Sequence, residues 1–278
     1  MEQRTVRVSN GWALTRLLSS VVLLAAPVLG ATETFTATAH SRRPLLEVVE
    51  KVEAEYLWRI NYEDPPFENV NELEDLTSTV YKASHPNPSD VFLIPRAKPF
   101  TFSWEDSGVS TDLRTTVERL VSQHHGSGNP GRFQTLYQGN VCHIFPLSLL
   151  KKDGTMVSAR SVLDARISFP VQQRTLFDVL QLIFQLVGAQ TKSHIVVGMV
   201  NPNAAFHKIS TGADNITARD ALMIVFNAYD AGNIGRGGLP ERFTWRLLYQ
   251  AGDNTYFFNL HRPFDQRPLA SPRFLSPR

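Results

Sequence analysis

A short motif is written twice in this chain, and it limits the folds open to it. The first copy runs Pro130-Gly131-Arg132-Phe133, then Leu136-Tyr137-Gln138-Gly139-Asn140. The second runs Pro240-Glu241-Arg242-Phe243, then Leu247-Leu248-Tyr249-Gln250, with Gly252 and Asn254 following. Each continues into an alternating apolar segment, residues 141–147 and 255–260. A proline start, an Arg-Phe step, a Leu-Tyr-Gln strand end and a Gly/Asn turn predict one β-hairpin in two copies. Upstream of each, Arg43-Pro44-Leu45-Leu46-Glu47-Val48-Val49 aligns with Arg174-Thr175-Leu176-Phe177-Asp178-Val179-Leu180. That pattern is a helix start: proline is tolerated in the first turn, and the acid sits at the positive end of the helix dipole. Two shared patterns in the same order predict an internal duplication.

Composition sets the class. With 278 residues, 42% apolar and 19% charged, the chain is ordinary globular material with enough length for one or two cores. A formal net charge of +2 is too small to point to nucleic acid. Arg16 is followed by an apolar run over residues 17–29 and then by Gly30, Ala31 and Thr32. A basic flank, a run short for a bilayer span and a small-residue exit predict a secretory signal peptide over residues 1–31, hence an exported, periplasmic or secreted protein. Membrane contact is then expected only through that segment before cleavage, and a lipoprotein is not expected because no cysteine closely follows the run. Cys142 is the only cysteine, so no intramolecular disulfide can form and stability must come from packing.

Between the signal and the tail, the elements predict an α+β fold. A strand at residues 35–39, a helix from Arg43 to about Trp58 and a strand from Ile60 to Asp64 come first. A long polar loop to about Asp90 follows, with a strand near residues 77–82. Residues 91–95 and 100–104 read as a strand pair. Ser110-Thr111-Asp112 can cap the next helix, which delivers the first hairpin. A polar linker at residues 151–164 leads to a strand at 167–170, a helix capped by Thr175 and closed by Gly188, and strands at 194–198 and 208–210. Thr217-Ala218-Arg219-Asp220 is a capping box heading the last helix. The expected architecture is two related β-α-β-β-α-β-β modules, residues 35–150 with a loop insertion and residues 165–262, each with two helices on small mixed sheets. Residues 263–278, rich in proline, are expected to be a disordered tail.

The second module resembles the secretin and TonB short N-terminal domain. The residues that carry the resemblance are Ile167-Ser168-Phe169-Pro170, the helix from Leu176 to Gly188, Thr217-Ala218-Arg219-Asp220-Ala221-Leu222 and Trp245-Arg246-Leu247-Leu248-Tyr249. It covers the last third of the chain, with the first module as a divergent second copy. The resemblance implies a non-enzymatic protein-interaction module of the bacterial envelope, with a secretion channel, receptor or scaffold component as partner.

Candidate chemistry was weighed residue by residue. The glycines Gly232, Gly235, Gly237 and Gly238 leave a helix and enter a strand, the reverse of a phosphate loop. His124-His125 and His143 lack the spacing of a metal motif, and Cys142 has no cysteine partner. Ser107, Ser127 and Ser158 do not sit in the Gly-x-Ser-x-Gly elbow of a hydrolase nucleophile. No catalytic residue, cofactor or metal is expected. Tyr62, Glu63 and Asp64, beside Pro65-Pro66, form the most distinctive unrepeated stretch and are the candidate binding residues for a basic partner, against the plainer reading of a strand exit. The alternative function is an exported hydrolase or small-ligand-binding protein with its pocket between the modules.

Overall fold

The computed structural model describes residues 33–80, 91–106, 112–235 and 241–262. The expected signal segment, the proline-rich tail, residues 81–90, Ser107, Gly237 and Gly238 lie outside the described residues.

Helices start where the sequence supplies a cap. In α1 (Pro44–Tyr56) proline occupies the first turn, and Glu47 reaches back to accept the backbone N–H groups of His40 and Ser41, each at 2.8 Å. Asp112 caps α3 (Leu113–Gly126), accepting the Thr115 N–H at 2.9 Å. The helices α4 (Leu176–Thr191) and α6 (Ala218–Ile234) share one device. Thr175 and Thr217 accept the N–H of Asp178 and Asp220 at 3.1 Å, and each hydroxyl donates to the same aspartate at 2.6 Å. Gly188 does not end α4 as expected. The helix continues to Thr191 and closes at Lys192 in the left-handed region, and a Cβ at Gly188 would stand 2.8 Å from the Ser193 carbonyl. The glycine permits a close approach and is not a stop.

The strands, in chain order, are β1 (Glu33–Ala39), β2 (Arg59–Glu63), β3 (Leu73–Asp75), β4 (Leu93–Pro95), β5 (Phe100–Asp106), β6 (Arg132–Gln138), β7 (Val141–Leu150), β8 (Met156–Ser158), β9 (Arg166–Thr175), β10 (His194–Val197), β11 (Lys208–Thr217), β12 (Thr244–Gln250) and β13 (Thr255–His261). Short helices α2 (Thr77–Val80) and α5 (Pro202–Ala205) complete the order. The fold class is α+β. Both expected hairpins form. β6 and β7 pair antiparallel around Gly139-Asn140, with Gly139 at φ 59°; β12 and β13 pair around residues 251–254.

Three local expectations are corrected. Residues 91–95 and 100–104 do not pair with each other: β4 pairs β3, and β5 pairs β1. In the β1–β5 ribbon Ala37 faces Phe102 and Ala39 faces Phe100, so large side chains on one strand meet small ones on the other. The segment from Thr77 begins a helical turn rather than a strand, because Asp75 accepts the Thr77 N–H at 2.8 Å. The stretch after Leu150 is not all linker. Lys151 and Thr155 close a tight turn, with Gly154 at φ 84°, and β8 folds back on β7.

One seven-stranded sheet crosses the whole described structure in the order β10-β13-β12-β2-β7-β6, with β8 attached to β7. At its centre β12 and β2 run parallel, Arg246 opposite Tyr62 and Leu247 opposite Glu63. Neighbours in register share a face, so Arg246 and Tyr62 point one way, Leu247 and Glu63 the other. Tyr62 belongs to the core built on Val48, Val52, Val117 and Leu120, from α1 and α3. Leu247 belongs to the core built on Val179, Ile183, Leu222 and Phe226, from α4 and α6. The first pair of helices therefore covers one face of the sheet at this seam and the second pair covers the opposite face.

His124, in the last turn of α3, is 1% exposed, its ring 5.5 Å from those of Phe100 and Phe133. Burial, then the nearby His125 and Arg132, hold its pKa down to about 3. A depressed folded pKa means the stability it contributes is complete above the ordinary value of 6.5 and is lost as pH falls toward about 3. In urea unfolding at about pH 7 and about pH 5, the parent should lose about 2 kcal/mol more than His124→Leu. Equal losses would mean that the ring protonates freely in the folded chain.

Candidate functional site

The seam is where the polar side chains concentrate. Alternation along β2 suggests a strand with one wet face, yet all five of its residues are buried, because β12 and β7 flank it and helices cover both sides. Its polar residues therefore need partners inside the protein.

Tyr62, Glu63 and Asp64 are 2%, 2% and 0% exposed, and the groups they meet belong to this chain. One Asp64 oxygen accepts from Arg43 Nε at 2.6 Å and from the Tyr249 N–H at 2.9 Å; the other accepts the Tyr62 hydroxyl at 2.9 Å. Arg43 also donates to the Tyr249 carbonyl at 2.8 Å, clamping the end of β12 onto the exit of β2. Glu63 accepts the Ser161 hydroxyl and, at 3.1 Å, the Val162 N–H, with Arg219 at 3.7 Å. Arg219 in turn bonds Asp164 and Ser161 and lies 4.5 Å over the Phe145 ring.

A third carboxylate matches these two. Glu53, from α1, is 0% exposed; it accepts the Ile60 N–H at 2.8 Å and pairs with Arg246 of β12. Arg246 also donates to the Ile60 carbonyl at 2.7 Å. Burial pushes the carboxyls of Glu53 and Glu63 up to about 7, with Arg246 and Arg219 pulling each back. Tyr62 is pushed far above its ordinary value, first by burial and then by the charge of Asp64. This chemistry locks the seam. It ties residues from distant parts of the chain, with Glu53 and Arg246 separated by 193 positions.

The other residues singled out in the sequence are also engaged. His143 shares a 3.1 Å hydrogen bond with Asn61, and His125 accepts the Phe133 N–H at 2.9 Å. Cys142 is fully buried, and burial pushes its thiol up to about 12. Asn215 sits at φ 48° just ahead of the Thr217 cap.

Beside the seam, a cavity of about 340 Å³ is lined by Trp58, Arg59, Arg114 and Arg242, among others. Sequence reading did not connect these arginines, and no spacing pattern could have. One opens β2, one lies in the first turn of α3 and one precedes β12, so only the tertiary arrangement brings them to a common wall.

Removing one member of a buried pair leaves the other charged and desolvated. Arg246→Met should therefore cost about 3–5 kcal/mol in urea unfolding, and Glu53→Leu in the same chain should recover most of that loss. A double variant no better than the single one would mean that the two groups are not coupled. No protein-family model, curated protein or solved structure matches this chain.

Proposed function

We propose that the chain consists of two copies of one β-α-β-β-α-β-β module, residues 35–150 and 165–262 joined through 151–164, and that it is an exported, non-enzymatic interaction protein of the bacterial envelope. Pairing supports the duplication element by element. β1 pairs β5 antiparallel, as β9 pairs β11. β2 pairs β7 in parallel, as β10 pairs β13. The antiparallel hairpin β6–β7 matches β12–β13, and α1 and α3 take the places of α4 and α6. The long segment between β2 and β5 is the insertion in the first copy. This module order is what the resemblance to the secretin and TonB short N-terminal domain implies, and export rests on the basic, apolar and small-residue pattern of residues 1–31.

The observation that carries the contact mode is the seam itself. One copy has added its β12 to the β2 edge of the other by parallel pairing, so this module's edges accept a strand. The corresponding edges at the two ends of the sheet are β6 and β10, and among the described residues β6 pairs only β7 and β10 pairs only β13. An envelope partner, whether a channel, receptor or scaffold component, would dock a strand on one of them.

Photo-crosslinking groups placed at Thr135 in β6 and Ile195 in β10, with the exposed helix position Glu118 as control, test this in intact envelopes. One envelope protein should be captured from an edge position and not from Glu118, and a proline at the neighbouring Val197, whose N–H faces away from β13, should abolish capture at the β10 edge. Identical products from all three positions would sink the strand-edge reading.

A further inference from the structure

We propose that the cavity between the first turn of α3 and the starts of β2 and β12 is a binding site for a carboxylate carried beside a flat apolar group. Three arginines, Arg59, Arg114 and Arg242, line it against one acid, Asp112, and the rings of Trp58 and Tyr137 supply apolar wall. Its volume of about 340 Å³ suits a small aromatic or short aliphatic acid.

The key group is Arg59. It is 9% exposed, and one terminal nitrogen donates to the Phe243 carbonyl at 3.2 Å, while its Nε–H has no acceptor among the described residues. Burial lowers the Arg59 pKa, and the positive charge of Arg242 lowers it further against the opposing pull of Asp230. An anion held between the two cations would relieve that repulsion.

The three arginines outnumber the two nearby acids, Asp112 and Asp230, whose hydrogen bonds are spent within the chain. Asp112 is committed to its helix cap, taking both the N–H and the hydroxyl of Thr115 at 2.9 Å. Asp230 accepts the backbone N–H groups of Glu241 and Arg242, at 3.0 and 3.4 Å. The planar guanidinium fork matches a carboxylate in two parallel hydrogen bonds, and the exposed Arg114 and Arg242 are able to swing onto it.

The apolar half of the recognition comes from a fixed platform. Trp58 stacks on Tyr56 at 4.8 Å and lies 6.2 Å from Trp104, with all three rings within 23° of parallel. Arg114 covers the Tyr137 ring at 4.6 Å. A flat group entering beside Trp58 therefore meets an aromatic wall at one end and positive charge at the other.

The site shares Tyr137 with the β6 edge, but its test uses the purified chain and no envelope partner, so the two readings fail separately. Isothermal titration of the full chain would compare N-acetyl-phenylalanine, N-acetyl-phenylalaninamide and inorganic phosphate at matched ionic strength. The acid should bind saturably, with the amide and phosphate at least about 10-fold weaker. Arg114→Ala and Arg242→Ala, at exposed positions, should each weaken the acid by about 10-fold while leaving the unliganded thermal midpoint unchanged. Arg59→Met should abolish binding; if that variant fails to fold, the two exposed variants still decide the matter. Acid and amide binding alike, phosphate binding as well as the acid, no saturable binding, or unchanged affinity in both exposed variants would each overturn the proposal.

Discussion

The parallel pairing of β12 with β2 is the contact on which the rest of the structure depends. It joins β10-β13-β12 to β2-β7-β6 and its attached β8 in one sheet and makes β2, a strand with alternating polar residues, a fully buried central element. Parallel strands with both faces covered are ordinarily apolar runs. Here the second residue type is retained by neutralising it: Glu53 with Arg246, Glu63 with Arg219, Asp64 with Arg43. Buried ion pairs are poor sources of net stability, but losing half of one is severe, and each ties the seam to a particular register. A slip of one residue would turn Tyr62 and Asp64 away from the partners they now meet.

The insertion after β2 follows from the same arrangement. Residues 64–95 leave the buried end of β2 beside β12, and their apolar residues Phe67 and Leu73 join the core of the other half of the chain. Val91, just ahead of β4, passes so close to the β12–β13 turn that a Cβ on Gly252 would collide with its carbonyl. Gly252, read in the sequence as part of a turn signature, is also the point where another segment crosses. The proposed arginine site belongs to the same logic, since Arg59 opens β2 and Arg242 lies just before β12, and the meeting of those strands brings them to one wall.

Local structure was legible where the governing chemistry is local. The caps at Thr175 and Thr217, the proline start of α1 and the two hairpins all depend on residues within a few positions of one another, and they form as their sequences suggest. The turn begun by Asp75 and the extension of α4 past Gly188 were not legible. In the first a side chain competes with the extended backbone, and in the second the glycine answers to a carbonyl five positions on. The acids at Glu63 and Asp64 were visible as unusual. That the arginines lie within the chain, 21 positions from Asp64 in one case and on α6 in the other, is not a property of any local window.

By itself, then, the sequence determined which segments are helix or strand, where most of them start, and that two stretches would fold alike, because hydrogen-bonding caps, proline, and alternation act over a turn or a strand pair. Only the tertiary structure decided which edge meets which, which carboxylates are buried, and which arginines share a wall. Those outcomes rest on contacts between residues 184 to 206 positions apart, such as Asn61 with Trp245 and Arg43 with Tyr249, and they are set by how two covered faces and one strand register can be satisfied together.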